Sequence, residues 1–201
     1  RSVDTLLIVG SNGRVYSVAA SGLPGGRGDG VPITTLIDLE AGTSIAHYHA
    51  GAADHTLLLA NTGRFGLLAK AGDMVGRNRG GKAFLTLETG QLVLPPVTLA
   101  AAHKQVACLA LDGRLLVFPL DELKLQSNGG KGLTLMDVDA KTPLVSVATC
   151  GDALLVQGLG RGDKPKEELL RFSGLAAHAG KRARKGQKLD GFKKPQRVLA
   201  A

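Results

Sequence analysis

Hydrophobic residues in this chain come in short paired runs, and the pairs recur fifty residues apart. Thr5-Leu6-Leu7-Ile8-Val9, Thr56-Leu57-Leu58-Leu59-Ala60 and Val106-Ala107-Cys108-Leu109-Ala110 lead into the turns Asn12-Gly13-Arg14, Thr62-Gly63-Arg64 and Asp112-Gly113-Arg114. A second apolar run follows each turn, at Val15 to Val18, Phe65 to Leu68 and Leu115 to Phe118. Apolar runs of this length bounded by turn residues predict strands, and Asn-Gly or Asp-Gly between them predicts tight hairpins, because these residues tolerate positive φ. A hairpin repeated at a period of roughly 40–50 residues is the mark of a bladed array, in which no unit buries its apolar face alone.

Aligned on the hairpins, four units run about 1–50, 51–100, 101–150 and 151–201. Each adds a Gly-rich basic loop, a third strand, and a Pro- or Gly-bearing link to a fourth strand that opens the next unit. Unit two places these at Gly76–Lys82, Phe84–Leu87 and Val97–Ala101, with Pro95-Pro96 as the link; unit three places them at Gln126–Gly132, Leu133–Asp137 and Leu144–Thr149. Asp121–Lys124 and Lys166–Arg171 could each form a helical turn, but no long segment carries an amphipathic helical period. The prediction is all-β. Unit four diverges: Ala153–Gln157 reads as a strand, but after Gly158-Leu159-Gly160-Arg161 the polar stretch Gly162–Glu168 replaces the return strand. Terminal repeats diverge when they cap a stack.

Length and composition then narrow the class. With 201 residues and 44% hydrophobic content the chain can build a sizeable core. No apolar run approaches the roughly 18–20 residues of a membrane helix, which predicts no membrane partner. Starting Arg1-Ser2 with no signal peptide, the sequence reads as a fragment of a longer protein. Two unclustered cysteines, Cys108 and Cys150, predict buried thiols in a reducing, cytoplasmic setting.

Charge changes the picture more. Residues 1–160 hold 13 basic and 13 acidic side chains, whereas residues 161–201 hold 12 and 4. The net charge of +8 therefore sits in the last fifth of the chain, densest at Lys181-Arg182-Ala183-Arg184-Lys185. Concentrated positive charge on a folded domain points to a polyanion.

The basic loops recur once per unit: Gly25-Gly26-Arg27-Gly28-Asp29-Gly30, Arg77-Asn78-Arg79-Gly80-Gly81-Lys82-Ala83, Gln126-Ser127-Asn128-Gly129-Gly130-Lys131-Gly132 and Gly180-Lys181-Arg182-Ala183-Arg184-Lys185-Gly186. Glycines let a backbone turn sharply and bring its amides near a phosphate oxygen, and Lys or Arg then supplies charge without reading a base. One such loop is an ordinary connection; four in register describe a path for a bent duplex. The candidate DNA contacts are Arg27, Arg77, Arg79, Lys82, Lys131, Lys181, Arg182, Arg184, Lys185 and Lys188. With no Trp, two Tyr and five Phe, there is little to stack single-stranded bases on.

These loops resemble the box Gln-Arg/Lys-Arg-Gly-Gly-Arg/Lys-Gly of the C-terminal domains of bacterial type IIA topoisomerases. Gln126, Gly129, Gly130, Lys131 and Gly132 match five of its seven positions, and Arg79, Gly80, Gly81 and Lys82 match four in unit two. No copy is intact, and the chain lacks an acidic C-terminal tail, so the resemblance is to the topoisomerase IV A-subunit branch of the family. It covers essentially the whole chain. It implies a β-pinwheel, the four-unit part of an open ring of about five blades, with duplex DNA along the rim. A degenerate box implies bending without a full wrap. The resemblance further implies that catalysis, ATP and Mg belong to other domains or subunits, with no cofactor here. It also implies partnership with an ATPase B subunit and with the rest of the A subunit, in a heterotetramer at the bacterial nucleoid. The alternatives are a bladed protein-interaction module and a gyrase domain that wraps DNA.

Other signals carry less. His47, His49, His55 and Asp54 could suggest a metal, but satisfied strand histidines explain them better. Gly129-Gly130-Lys131-Gly132 lacks the Ser/Thr of a nucleotide loop. Tyr16 and Tyr48 read as strand residues, so no catalytic residue is assigned. Arg14, Arg64 and Arg114 read as structural or solvated hairpin ends.

Overall fold

The computed structural model describes residues 4–25 and 28–201. Unit one contributes β1 (Thr5–Gly10), β2 (Arg14–Ala19) and β3 (Ile45–Gly51). Unit two contributes β4 (Thr56–Ala60), β5 (Phe65–Lys70), β6 (Lys82–Ala83) and β7 (Val97–Thr98). Unit three follows with β8 (Gln105–Ala110), β9 (Arg114–Pro119), β10 (Leu133–Thr134) and β11 (Leu144–Cys150). Unit four holds β12 (Ala153–Leu159), β13 (Pro165–Arg171), a four-residue helix α1 (Ser173–Ala176), β14 (Gln187–Lys188) and β15 (Lys194–Ala200).

These strands make four antiparallel sheets, ordered β3-β1-β2-β6, β10-β5-β4-β7, β11-β8-β9-β14 and β13-β12-β15. The units exchange strands. Each short strand after a Gly-rich loop leaves its own hairpin and pairs with the return strand of the preceding one: β6 on β2, β10 on β5 and β14 on β9. The expected fourth strand behaves in the opposite way. Instead of opening the next unit, β3, β7, β11 and β15 each pair with the first strand of their own hairpin.

The continuous apolar runs are explained by blades buried on both faces. Leu57, Leu59, Leu67 and Ala69 of blade two pack with Leu7, Val9 and Val15 of blade one. Their neighbours Leu58, Ala60 and Leu68 turn the other way, against Val106, Cys108, Leu116 and Phe118 of blade three. The alternate residues Ala107, Leu109, Leu115 and Val117 then meet Leu154, Val156 and Val198 of blade four. A strand with period-two side chains and a partner on each face has no need of polar positions. Among the described residues the core clusters link blades one to two, two to three and three to four, and none joins four to one. Blade one's remaining face, with Ile8 and Tyr16, is closed by its own Ile33, Ile37 and Leu39. The ring is open.

Several predicted elements differ in extent or place. The third strand of unit two is Lys82–Ala83, just ahead of the expected Phe84–Leu87, and that of unit three shortens from Leu133–Asp137 to Leu133–Thr134, because the residues that follow leave the sheet. Phe84-Leu85 and Leu135-Met136 plug the inter-blade cores. Likewise Val97–Ala101 shortens to Val97–Thr98, whereas the helical turn expected near Asp121–Lys124 is present as the 3-10 turn Leu120–Glu122. In unit four the return strand is present after all. Pro165–Arg171 pairs with β12 over seven residues, although Lys166–Arg171 reads as polar enough for a turn. Its outward side chains are solvated: Glu167 accepts from Gln157 across the pair at 2.7 Å. Among the described residues no exchanged strand covers this edge, so charge there stays solvated and also blunts edge pairing.

Candidate nucleic-acid interface

The Gly-rich loops overlap in succession along one line of hydrogen bonds. The loop of unit two lies on unit one, where Asp38 N–H donates to the Arg79 carbonyl at 3.0 Å. Past its exchanged strand, the same segment carries the next loop: Gly130 N–H donates to Phe84 O (2.7 Å) and Thr86 N–H to Gly130 O (2.9 Å). The loop of unit four then docks on unit three through Ala183 N–H to Leu135 O (2.9 Å) and Asp137 N–H to Arg184 O (3.0 Å). Each exchanged segment is also fastened to the neighbouring hairpin turn, Leu85 N–H to Gly13 O, Leu135 N–H to Arg64 O and Leu189 N–H to Gly113 O. Loops two, three and four therefore stand at equivalent places on consecutive blades.

Crossing between blades accounts for the box glycines. Gly132 has φ +78°, and a Cβ there would come within 2.3 Å of the Gly66 carbonyl oxygen. Gly129 has φ +68°, and a Cβ would lie 2.1 Å from Phe84 O. Only glycine fits a backbone this close to another backbone. The amides expected to face phosphate are largely occupied: Gly81 donates to Asn78 O, Gly129 to Gln126 O and Gly130 to Phe84 O. Side chains, not these amides, are left to meet an anion.

The candidate cations fall into two groups. Arg77, Lys181, Arg184 and Lys185 are exposed and make no side-chain hydrogen bond or ion pair among the described residues. The others are held. Arg79 donates to Thr35 O at 2.6 Å and lies 3.4 Å from Asp38. Lys82 donates to Asp73 O at 3.1 Å, and its ammonium is 5.6 Å from the centre of the Phe84 ring. Lys131 pairs with Glu88 at 2.7 Å and sits 4.4 Å over the Phe65 ring. Lys188 donates to Asp112 O at 2.6 Å. Arg182 is turned inward, donating from Nη1 to Thr134 O at 2.6 Å, while its amide donates to Glu122 at 2.9 Å. It braces its loop on unit three. Arg27 lies outside the described residues. Gln126 helps form the loop through its backbone, which donates to Leu68 O at 2.8 Å.

The hairpin-end arginines, read from the sequence as structural or solvated, include a structural one. Arg14 donates from Nε and Nη2 to Gly80 O (3.2 and 3.0 Å) and from Nη2 to Gly81 O (3.0 Å), clamping the loop of unit two. Its recurrence as Arg64 and Arg114 was the available signal, though those two pair instead with Asp137 (3.9 Å) and Asp112 (2.7 Å). Asp38 and Glu88 had no sequence signal, because exposed acids are common in links.

The two cysteines are not activated nucleophiles. Cys108 and Cys150 are free and buried, and burial pushes both thiols up, Cys150 to about 11. Tyr16 is buried on β2 and accepts from Glu40 N–H at 3.3 Å; Tyr48 lies on β3. His47 contacts Val93 O at 2.9 Å, and among the described residues no three His, Cys, Asp or Glu side chains gather to hold a metal. No helix among them is long and apolar enough to cross a membrane.

Comparison with known proteins agrees with this geometry. The family described as DNA gyrase C-terminal domain, beta-propeller, matches residues 4–42 and 108–150. The A subunit of DNA topoisomerase 4 from Neisseria gonorrhoeae is 35% identical over 178 residues, 86% of this chain and 23% of that protein. The Escherichia coli K12 protein of the same name is 33% identical over 138 residues, 69% of this chain and 18% of its own length. The chain thus spans about a quarter or less of these relatives. The solved E. coli ParC C-terminal domain superposes with TM-score 0.87 at 29% identity, covering 98% of this chain and 81% of that one. A DNA gyrase A C-terminal domain shares the fold, with TM-score 0.70 at 19% identity over 97% of this chain and 64% of that one. With its exchanged strands, open ring and degenerate boxes, the chain belongs to the β-pinwheel family of C-terminal domains found in gyrase A and in the topoisomerase IV A subunit.

Proposed function

We propose that this domain binds and bends duplex DNA without regard to sequence, as the C-terminal domain of a topoisomerase IV A subunit. In that role it presents DNA segments to a catalytic core for decatenation and relaxation. The observation that carries the reading is the succession of basic loops of three units, each docked by its backbone on the unit before it. Lys and Arg on such loops suit contacts to phosphates, which exist at every base pair and carry no sequence information. The parent protein is read as an ATP-dependent type II topoisomerase partnered with an ATPase B subunit in a heterotetramer. It acts at the cytoplasmic nucleoid, with ATP and Mg bound outside this domain.

Fluorescence anisotropy with duplexes of about 40 base pairs tests the reading. If about 6–10 phosphates are engaged, affinity falls about 10³–10⁵-fold between 50 and 200 mM salt. Scrambling the sequence leaves affinity unchanged. Salt-insensitive binding, or a strong preference for one sequence, overturns the proposal. The isolated domain is expected to show no DNA cleavage, ATP hydrolysis or strand passage.

A further inference from the structure

The loop cations differ in a way that the repeat alone does not predict. Lys131 is fixed by two groups of unit two: its ammonium is 2.7 Å from Glu88 Oε1 and 4.4 Å from the centre of the Phe65 ring. Glu88 is itself preset. Its other oxygen accepts from Gln91 Nε2 at 3.1 Å, its amide donates to Gln91 Oε1 at 3.1 Å, and its carbonyl accepts from Gln91 N–H at 3.0 Å. The Lys131 ammonium holds the Glu88 carboxyl below its usual range, so the acid is ionised at neutral pH. Unit one offers unit two a second instance, with Asp38 at 3.4 Å from Arg79. Unit three does not repeat this for unit four. Its Asp139 is turned to cap its own chain, accepting from Lys141 N–H (2.8 Å) and Thr142 N–H (2.9 Å), and among the described residues Lys181, Arg184 and Lys185 are left without acids.

We infer that Glu88 is a built-in competitor for the DNA phosphate at Lys131, so that duplex engages Lys181, Arg184 and Lys185 of unit four first and the loop of unit three only by displacing a carboxylate. The inference rests on the reading of the domain as a DNA binder. Both members of the pair are half-exposed, Lys131 at 50% and Glu88 at 57%, so water and salt already weaken the attraction. A phosphate diester can take the ammonium without a large penalty. The aromatic ring beneath Lys131 stays in place during the exchange and keeps the ammonium aimed at the rim. Bending is then the quantity most affected. Contact at unit four alone tethers the duplex, whereas contact at unit three as well requires curvature, which a stiff duplex resists. An acid that weakens only the second contact lowers the bent fraction more than the affinity.

The test is a double-mutant cycle in the intact domain, read by anisotropy and by end-to-end fluorescence transfer on a labelled duplex. Glu88→Gln keeps the shape of the side chain and its contact with Gln91. It is expected to raise affinity about two- to fivefold, the scale of one exposed ion pair. The salt slope should steepen by about 0.9, one further phosphate contact, and the bent fraction should rise. In a Lys131→Ala background the same substitution should lose most of that gain. Asp121→Asn removes an exposed acid that has no ion-pair partner among the described residues and serves as the control for net charge. Equal gains from Glu88→Gln and Asp121→Asn, or a gain that survives Lys131→Ala, overturns the inference while leaving the domain a DNA binder. Failure of the unaltered domain to bind duplex at 50 mM salt removes the DNA-binding reading itself.

Discussion

In unit three, Lys131 leaves its loop over a phenylalanine ring and meets a carboxylate. In unit four, Lys181, Arg184 and Lys185 leave a loop docked in a similar way on the backbone of Leu135 and Asp137, and among the described residues they have no hydrogen-bond or ion-pair partner. The two loops are alike in what holds the fold and unlike in what faces outward. Backbone docking is a requirement of strand exchange, because every exchanged segment must satisfy its amides on the neighbouring unit. Side-chain charge carries no such requirement and is free to differ from blade to blade. A repeat of this kind fixes position and leaves strength adjustable.

The structural half of the comparison can be broken at Gly132. Gly132→Ala places a methyl group 2.3 Å from the Gly66 carbonyl and forces a side chain into positive φ. It should destabilise the domain by about 2–4 kcal/mol, read by chemical denaturation. Gly80→Ala in the same kind of loop meets nothing within 4 Å and should change stability by less than about 0.5 kcal/mol. Equal effects would mean that the loops are loose connections and that their succession is not enforced.

The charge half is broken in unit four. Replacing Lys181, Arg184 and Lys185 with Ala while keeping the inward Arg182 should lower the salt slope by about 2.7 if all three contact phosphate. Folding should be unaffected, because these side chains hold nothing. Replacing Arg79, Lys82 and Lys131 should instead reduce bending more than affinity, since those cations contribute only along a curved path. If the first variant abolishes all binding and the second changes neither quantity, the basic tail alone meets the DNA.

Much of this was legible in the sequence, for physical reasons. Hairpins repeat because each must bury both faces, and the runs Leu57 to Ala60 and Val106 to Ala110 show that as uninterrupted apolar sequence. Where strands go was less legible. Lys82–Ala83 and Leu133–Thr134 are two-residue strands whose partners lie some 67 residues earlier, at Val15 for Lys82 and Gly66 for Leu133, and no local pattern specifies a long-range exchange so short. Strand β13 was missed because its charged residues resemble a loop, although an edge strand with one open side accommodates charge. The box glycines have a structural reason that the sequence reading did not give, since their close approach is to protein backbone. Which cations are free depended on Asp38, Glu88 and Thr134, residues with no signature of their own.

The smallest expected effect concerns how firmly unit four is attached. His178 is 8% exposed, and its carbonyl accepts from Val117 N–H at 2.8 Å, just before the loop crosses to blade three. Burial lowers its pKa from the ordinary 6.5, although hydrogen bonds at the Gln187 and Leu115 backbone and the charge of Asp190 oppose the shift. The folded domain therefore prefers neutral imidazole, while the unfolded chain takes up a proton as pH falls past about 6.5. Where the unfolded state binds more protons, stability rises with pH. The contribution is accordingly complete above about pH 6.5 and is lost as pH falls below it, levelling once the folded imidazole also protonates. His49, lowered by burial and by His55, acts in the same direction, so the slope in a single His178→Gln variant should shrink without vanishing. Carboxylates such as Asp139, lowered by its bonds with Thr142 and Lys141, contribute their own loss only at more acid pH, which keeps the two windows separate. Denaturation midpoints measured between pH 7.5 and 5.5 would show the difference. An unchanged slope in the variant would mean that His178 is protonated equally in both states, and that the junction between blades three and four carries no pH-dependent strain.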